Sequence, residues 1–221
     1  MSAPLQQMLL AMGAGPTLSF RASGSSTSDL TTYTFAGVDI GTAATNRHVV
    51  VGVQGSGGTA RTLSSVTVAG VTATILVEAT DTGGGGEDHV ALVIAAVPTG
   101  TTGDVVVTWS GAFARGAYGV WAVYGLESPT PVDTTQSTAS PGALSVDTTA
   151  DSIVIAVSAP NNSSTTAWSG VVTENFDVAA FETQGWTGAS AAKVAAATPA
   201  TVTATYTGGP TNKAAVSIAL R

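Results

Sequence analysis

The sequence predicts an all-β fold, an antiparallel β-sandwich of jelly-roll type built from two similar halves. Three observations predict it. The first is a strand pattern that runs through the chain twice. Arg47 to Gln54 reads RHVVVGVQ and Asp151 to Ser158 reads DSIVIAVS. Each is followed by a Gly-Val pair (Gly70-Val71, Gly170-Val171) and an Ala-rich corner ending in proline (Ala95 to Pro98, Ala196 to Pro199). Next come a strand ending in an aromatic and a small-residue turn (Val105 to Gly111, Thr201 to Gly208) and an apolar strand (Gly119 to Val123, Ala215 to Ala219). Repeated short strands specify a β-architecture. The second observation is punctuation by glycine-rich and polar turns at Gly55 to Gly58, Gly83 to Gly86, Thr99 to Gly103 and Asn161 to Thr166. The third is composition: charged residues make up 10% of the chain, against roughly 25% in ordinary soluble domains. The surface must therefore be largely Thr, Ser, Gly and Ala, which suits exposed sheet.

Taken in order, the elements begin with a short N-terminal helix. Leu5, Met8, Leu9 and Met12 fall at i, i+3, i+4 and i+7, one helical face. Ser2 can cap it, Pro4 is tolerated in its first turn, and Gly13, Gly15 and Pro16 stop it. So short a helix is not stable alone, so the stripe must dock, either on this chain or on another subunit. From Thr17 onward strands are expected at 17–22, 32–40, 47–54, 62–68, 71–79, 89–97, 103–110, 116–124, 132–137, 143–147, 152–158, 167–173, 178–184, 189–197, 201–207 and 213–220. Tyr33, Phe35, Val38 and Ile40 suggest a half-buried strand kinked at Gly37, and Val49, Val51 and Val53 alternate. Ser23 to Ser28 reads as a flexible loop. Glu127 to Gly142, with Pro129, Pro131 and Pro141, joins the halves. The expected organisation is an N-terminal docking segment, 1–16, and one β-sandwich domain, 17–221. The alternative is two small sandwiches, 17–127 and 143–221.

The formal charge is −7, and the seven Lys and Arg are dispersed with no two adjacent. Nucleic-acid binding needs clustered cations, so no nucleic-acid partner is expected. No apolar run reaches the length of a membrane span, so no membrane insertion is expected, and the N-terminus does not read as a signal peptide. Cysteine is absent, which excludes disulfides, thiolate metal sites and cysteine nucleophiles.

Candidates for chemistry are few. His48 and His89 have no second histidine at ligand spacing and read as strand-edge residues. Asp81, Glu87 and Asp88 flank the glycines 83–86. Calcium takes oxygen ligands from such loops, but the spacing is not that of an EF-hand, and a solvated hairpin tip is the expected reading. Asp147 and Asp151 flank a short turn in the same way. No serine sits in a GxSxG elbow, and no pair of acids is placed by context for glycoside hydrolysis. No catalytic residue, metal site or cofactor is therefore expected. Of the four tryptophans, Trp121 reads as core and Trp109 as structural, because Tyr206 takes its place in the second half. Trp168 and Trp186, beside Thr, Ser and Gly, are the candidate glycan-contact residues.

The segments TYTFAGVDIG, RHVVVGVQG, SSVTVAGVTAT, AAVPTGTTGDVVVTWSG and GVWAVYGL resemble the small β-sandwich virion proteins of tailed bacteriophages. The start LQQMLLAMGAG is similar to segments that open some phage tail-fibre and spike proteins. The resemblance implies a non-enzymatic virion protein, a fibre or spike subunit or a capsid decoration protein. Its N-terminal segment would join other virion proteins through Leu5, Met8, Leu9 and Met12, and the β-part would expose a surface to host glycans. A homo-oligomer is expected, a trimer first, because unpaired strand edges need covering. The alternatives are a carbohydrate-binding β-sandwich module and a hydrolase on a β-scaffold.

Overall fold

The computed structural model describes residues 15–83, 86–162, 164–181 and 183–221. The protein is all-β, with several antiparallel sheets and no named helix among the described residues. The first half contributes β1 (Thr17–Ser26), β2 (Leu30–Asp39), β3 (Arg47–Gly57), β4 (Leu63–Val68), β5 (Val71–Thr72), β6 (Thr74–Asp81), β7 (Glu87–Ala96), β8 (Thr102–Phe113) and β9 (Arg115–Tyr124). The second contributes β10 (Asp133–Ser137), β11 (Gly142–Ala143), β12 (Val146–Thr148), β13 (Ser152–Pro160), β14 (Thr165–Gly170), β15 (Thr173–Phe181), β16 (Gln184–Val194), β17 (Ala197–Ala200), β18 (Val202–Thr207) and β19 (Lys213–Leu220).

The internal repeat is a repeat of connectivity. One five-stranded sheet has the order β1-β9-β3-β7-β6 and the other β10-β19-β13-β16-β15. Each is accompanied by smaller pairings, β2-β8-β4-β5 in the first half, β11-β18-β14 and β12-β17 in the second. Pairing is nested. In the first half β1 meets β9, β2 meets β8 and β3 meets β7. In the second, β10 meets β19, β11 meets β18, β12 meets β17 and β13 meets β16.

The apolar residues divide into three clusters, and the period of two along each strand decides which residue joins which. Val49, Val51 and Val53 of β3 face Val66, Val105, Val107 and Trp109 of the smaller sheet. Val50, between them, faces the other way, with Leu92 and Trp121, onto Ile155, Val157 and Ile218 of the second half. On β13 the same split sends Val154 and Ala156 to Val202 and Ala204, while Ile153, Ile155 and Val157 face the first half. Strands β3, β7, β13 and β19 are thus covered on both faces. That is why their sequences are nearly continuous apolar runs rather than alternating ones.

Between the two five-stranded sheets lies a small aromatic layer seated on glycines. Phe20, Trp121, Phe176 and Trp186 pack with ring centroids 5.4–5.9 Å apart. Gly52 and Gly119 are register partners on β3 and β9. A Cβ on Gly119 would come within 2.6 Å of the Phe176 ring, and one on Gly188 of the facing sheet within 2.5 Å. These bare backbone positions leave room for the rings between the sheets, a use of glycine inside a strand where another group approaches closely.

Several boundaries differ from those expected. Gly24, Ser25 and Ser26 are not a free loop but the end of β1, paired with Tyr118, Ala117 and Gly116. Gly55 and Gly57 continue β3 instead of turning, because the Phe113 ring lies where a Cβ on Gly55 would be, at 2.3 Å. The single strand expected at 167–173 is two, broken at Gly170. The kink expected at Gly37 is present as a register shift between Phe35 and Val38, with Gly37 at φ 64°. The helix expected over Leu5, Met8, Leu9 and Met12 lies outside the described residues.

Two buried polar side chains lock the first half. Arg47 is 1% exposed, and its guanidinium donates to the carbonyls of Val97 (2.7 Å), Gly41 (2.5 Å) and Thr99 (2.7 Å). The Tyr33 hydroxyl shares its one proton between the carbonyls of Phe113 (2.6 Å) and Ser28 (2.8 Å). Burial pushes Tyr33 up to about 12, from an ordinary value of 10.0. The folded state therefore holds its phenol proton where the unfolded chain releases it. Stability from Tyr33 is intact below pH 10 and is lost as pH rises through the interval to about 12. Burial also raises Tyr118 and Tyr206, so phenolate absorbance should show a late-titrating fraction to which Tyr33 contributes. Tyr33→Phe should lower the amplitude of that fraction, and an amplitude unchanged in the variant would refute the assignment.

Candidate functional site

The connectivity brings one end of both five-stranded sheets together and leaves a polar cleft of about 140 Å³ there. The first half supplies Ser56 from the end of β3, Asp88 from the start of β7 and Arg115 from the start of β9. The second supplies Asn161, Gln184 and Asn212. Strand β7 alternates through this region. Glu87 and His89 turn toward Arg61, and Asp88 turns toward Gln184. The Gln184 amide donates to Ser56 Oγ at 2.5 Å and to Asp88 Oδ1, so one side chain of the second half holds two of the first.

The cleft's rim is built from backbone capped by side chains. Asn161 Oδ1 accepts the amides of Thr211 (2.9 Å) and Asn212 (3.1 Å). Asp81, across the glycine loop, accepts the amides of Gly83 and Lys213, each at 2.9 Å. Asp81, Glu87 and Asp88 therefore do not form a solvated tip: Glu87 is 2% exposed and Asp88 1%. Burial pushes the Asp88 carboxyl up to about 7, against hydrogen bonds from Ser56 and Gln184 that favour its charged form, with Asp81 pushing it further up. Burial also raises Glu87, opposed by the Arg61 amide at 2.6 Å. The site can hold a proton or a charge near neutrality and can accept hydrogen bonds.

His89 is not a strand-edge residue. It is buried in β7, with Nε2 3.1 Å from Glu78 Oε2 and Nδ1 2.9 Å from Thr80 Oγ1. Its ring meets Trp109 edge-on at 5.1 Å. His48 is half-buried in β3, and burial lowers its pKa.

The two tryptophans singled out as glycan contacts separate. Trp186 is 0% exposed in the aromatic layer between the sheets, so its ring has no face for a sugar, and that expectation is corrected. Trp168 is half-buried on β14, packs against the second half's own cluster and donates Nε1–H to Thr187 Oγ1 at 2.9 Å. Trp121 is core, as expected, and donates to Asn175 Oδ1 at 2.8 Å. The docking residues Leu5, Met8, Leu9 and Met12 lie outside the described residues. Among the described residues no group of three or more His, Cys, Asp and Glu could hold a metal ion, and no helix is long and apolar enough to cross a membrane.

Sequence reasoning noticed the acids beside the glycine loop but missed their partners. Gln184 lies 96 residues from Asp88 and 128 from Ser56, and nothing local marks it. Comparisons with protein-family models, curated proteins and solved structures return no match.

Proposed function

We propose that this chain is a non-enzymatic structural subunit of a tailed-bacteriophage particle, of fibre, spike or decoration type. The observation that supports the reading most is the nested strand pairing, present twice. A long hairpin rolled up so that its first strand meets its last is the jelly-roll wrap, an architecture that recurs in viral capsid and lectin domains. On this reading each half is a jelly-roll-like sandwich and the two pack through their larger sheets. The sparse charge and Thr-rich strands suit a surface covered by neighbours, and the subunit is a homo-oligomer, trimer first. Residues 1–16 attach it to other virion proteins, and its location is the virion.

The test is deletion of Met1 to Gly15. Four apolar side chains at roughly 1.5–3 kcal/mol each are enough to anchor a subunit. The truncated protein should melt as the full chain does and fail to co-sediment with particles. A fall of many degrees in melting temperature would place the stripe in this chain's own core and overturn the anchor.

A carbohydrate-binding module is the second reading, favoured by the partly exposed Trp168 ring. Glycan-array binding lost in Trp168→Ala would select it over a purely structural part.

A further inference from the structure

We propose that the polar cleft between the halves binds a single hard cation of the calcium type, through Asp88 Oδ2, Gln184 Oε1 and Asn212 Oδ1. Each of these residues is 1% exposed and lines the cleft, and each of these oxygens lacks a hydrogen-bond donor. Buried polar atoms without partners are rare, and these three belong to residues from distant parts of the chain that line one cavity; a fourth, Glu87 Oε1, sits on a side chain turned toward Arg61. All three are acceptors. A hydroxyl-rich ligand would call for donors as well, whereas a cation calls only for oxygens, which calcium takes from carboxylates, amide carbonyls and water.

The rest of the cleft holds these groups in place. Gln184 Nε2 is occupied by Ser56 and Asp88, which leaves its Oε1 for a ligand. Asn212 Nδ2 reaches the Asp81 carbonyl at 3.4 Å, which likewise leaves Oδ1. Asp88 brings the one carboxylate of the three, and a buried carboxylate is costly unless charge and hydrogen bonds offset its burial. Arg115 also lines the cleft and favours the charged form of Asp88, and a bound cation would add to that. One carboxylate and two amides make a weak site, so binding in the range of extracellular calcium modules, on the order of 10⁻⁴–10⁻³ M, is expected. The sequence suggested no metal site, because the acids at 81, 87 and 88 lack the spacing of an EF-hand and read as a solvated hairpin tip. The site takes one of those acids, Asp88, and its amide ligands come from the other half. It also gives the cation a structural role, tying β7 to β16 and to the segment before β19.

The test uses the full chain, stripped with EDTA and melted with and without calcium chloride at ~10 mM, above the expected dissociation range. Calcium should raise the melting temperature by about 5 °C. Asp88→Asn, which keeps the shape and removes the charge, should abolish the shift, and Asn212→Ser should reduce it. Calorimetric titration of both variants reads binding directly, whatever their own stability. No shift in the wild type would overturn the proposal. So would a shift that sodium chloride reproduces at equal ionic strength, or one that both variants retain.

Discussion

Trp186→Ala is expected to be among the most damaging single changes in the chain, lowering stability by about 3–5 kcal/mol. In a protein of this size that corresponds to a fall in melting temperature of roughly 10 °C. The ring is fully enclosed between the two five-stranded sheets, 5.7 Å from the Phe176 ring. On the opposite side a Cβ on Gly52 would come within 3.4 Å of it. Removing it leaves a cavity between the two sheets. Sheets hydrogen-bonded along five strands cannot collapse into the void as flexible side chains would, so the cavity term persists. The indole N–H has no partner, so Trp186→Phe removes an unsatisfied donor along with some volume and should cost far less. Melting of the two variants by circular dichroism checks this. Equal losses would show that the N–H has a partner; no loss in the alanine variant would show that the halves do not rest on this layer.

The strand repeat was legible because apolar runs such as RHVVVGVQ and DSIVIAVS are local signals, and they became β3 and β13. What was not legible came from rings and amides that arrive from elsewhere. Gly24, Gly55 and Gly57 look like turn residues in a one-dimensional reading. In the fold they are strand, because Tyr118 and Phe113 lie against them. Trp186, between Gly185 and Thr187, looks exposed for the same reason: small neighbours make room for a facing sheet as readily as for solvent. The acids 81–88 were visible, yet their burial depends on Asn161, Gln184 and Asn212 from the second half. Periodicity decides which face a residue takes, but not what covers that face.

The second large effect separates two glycines that the repeat makes equivalent. Gly170→Ala is expected to cost about 3–5 kcal/mol, combining left-handed backbone strain with overpacking. Gly170 has φ 97°, and a Cβ there would lie 2.0 Å from the Thr201 carbonyl oxygen and 2.7 Å from its carbon. Those atoms are backbone. Thr201 O also accepts the Val171 amide at 2.9 Å, in the crossing from β14 to β15, so moving it breaks that contact too. Gly70 also has a positive φ, 79°, but nothing lies within 4 Å of its added Cβ. It follows Ala69, at φ 50°, in the two-residue turn joining β4 and β5. Gly70→Ala thus adds strain alone, about 1–2 kcal/mol, partly offset by the lower entropy of the unfolded chain, about 0.4–1 kcal/mol. Denaturant unfolding of both variants should show a large drop for position 170 and a small one for position 70. Equal drops would mean that the Thr201 segment yields freely, and that the close approach at Gly170 does not constrain the passage of the chain between sheets.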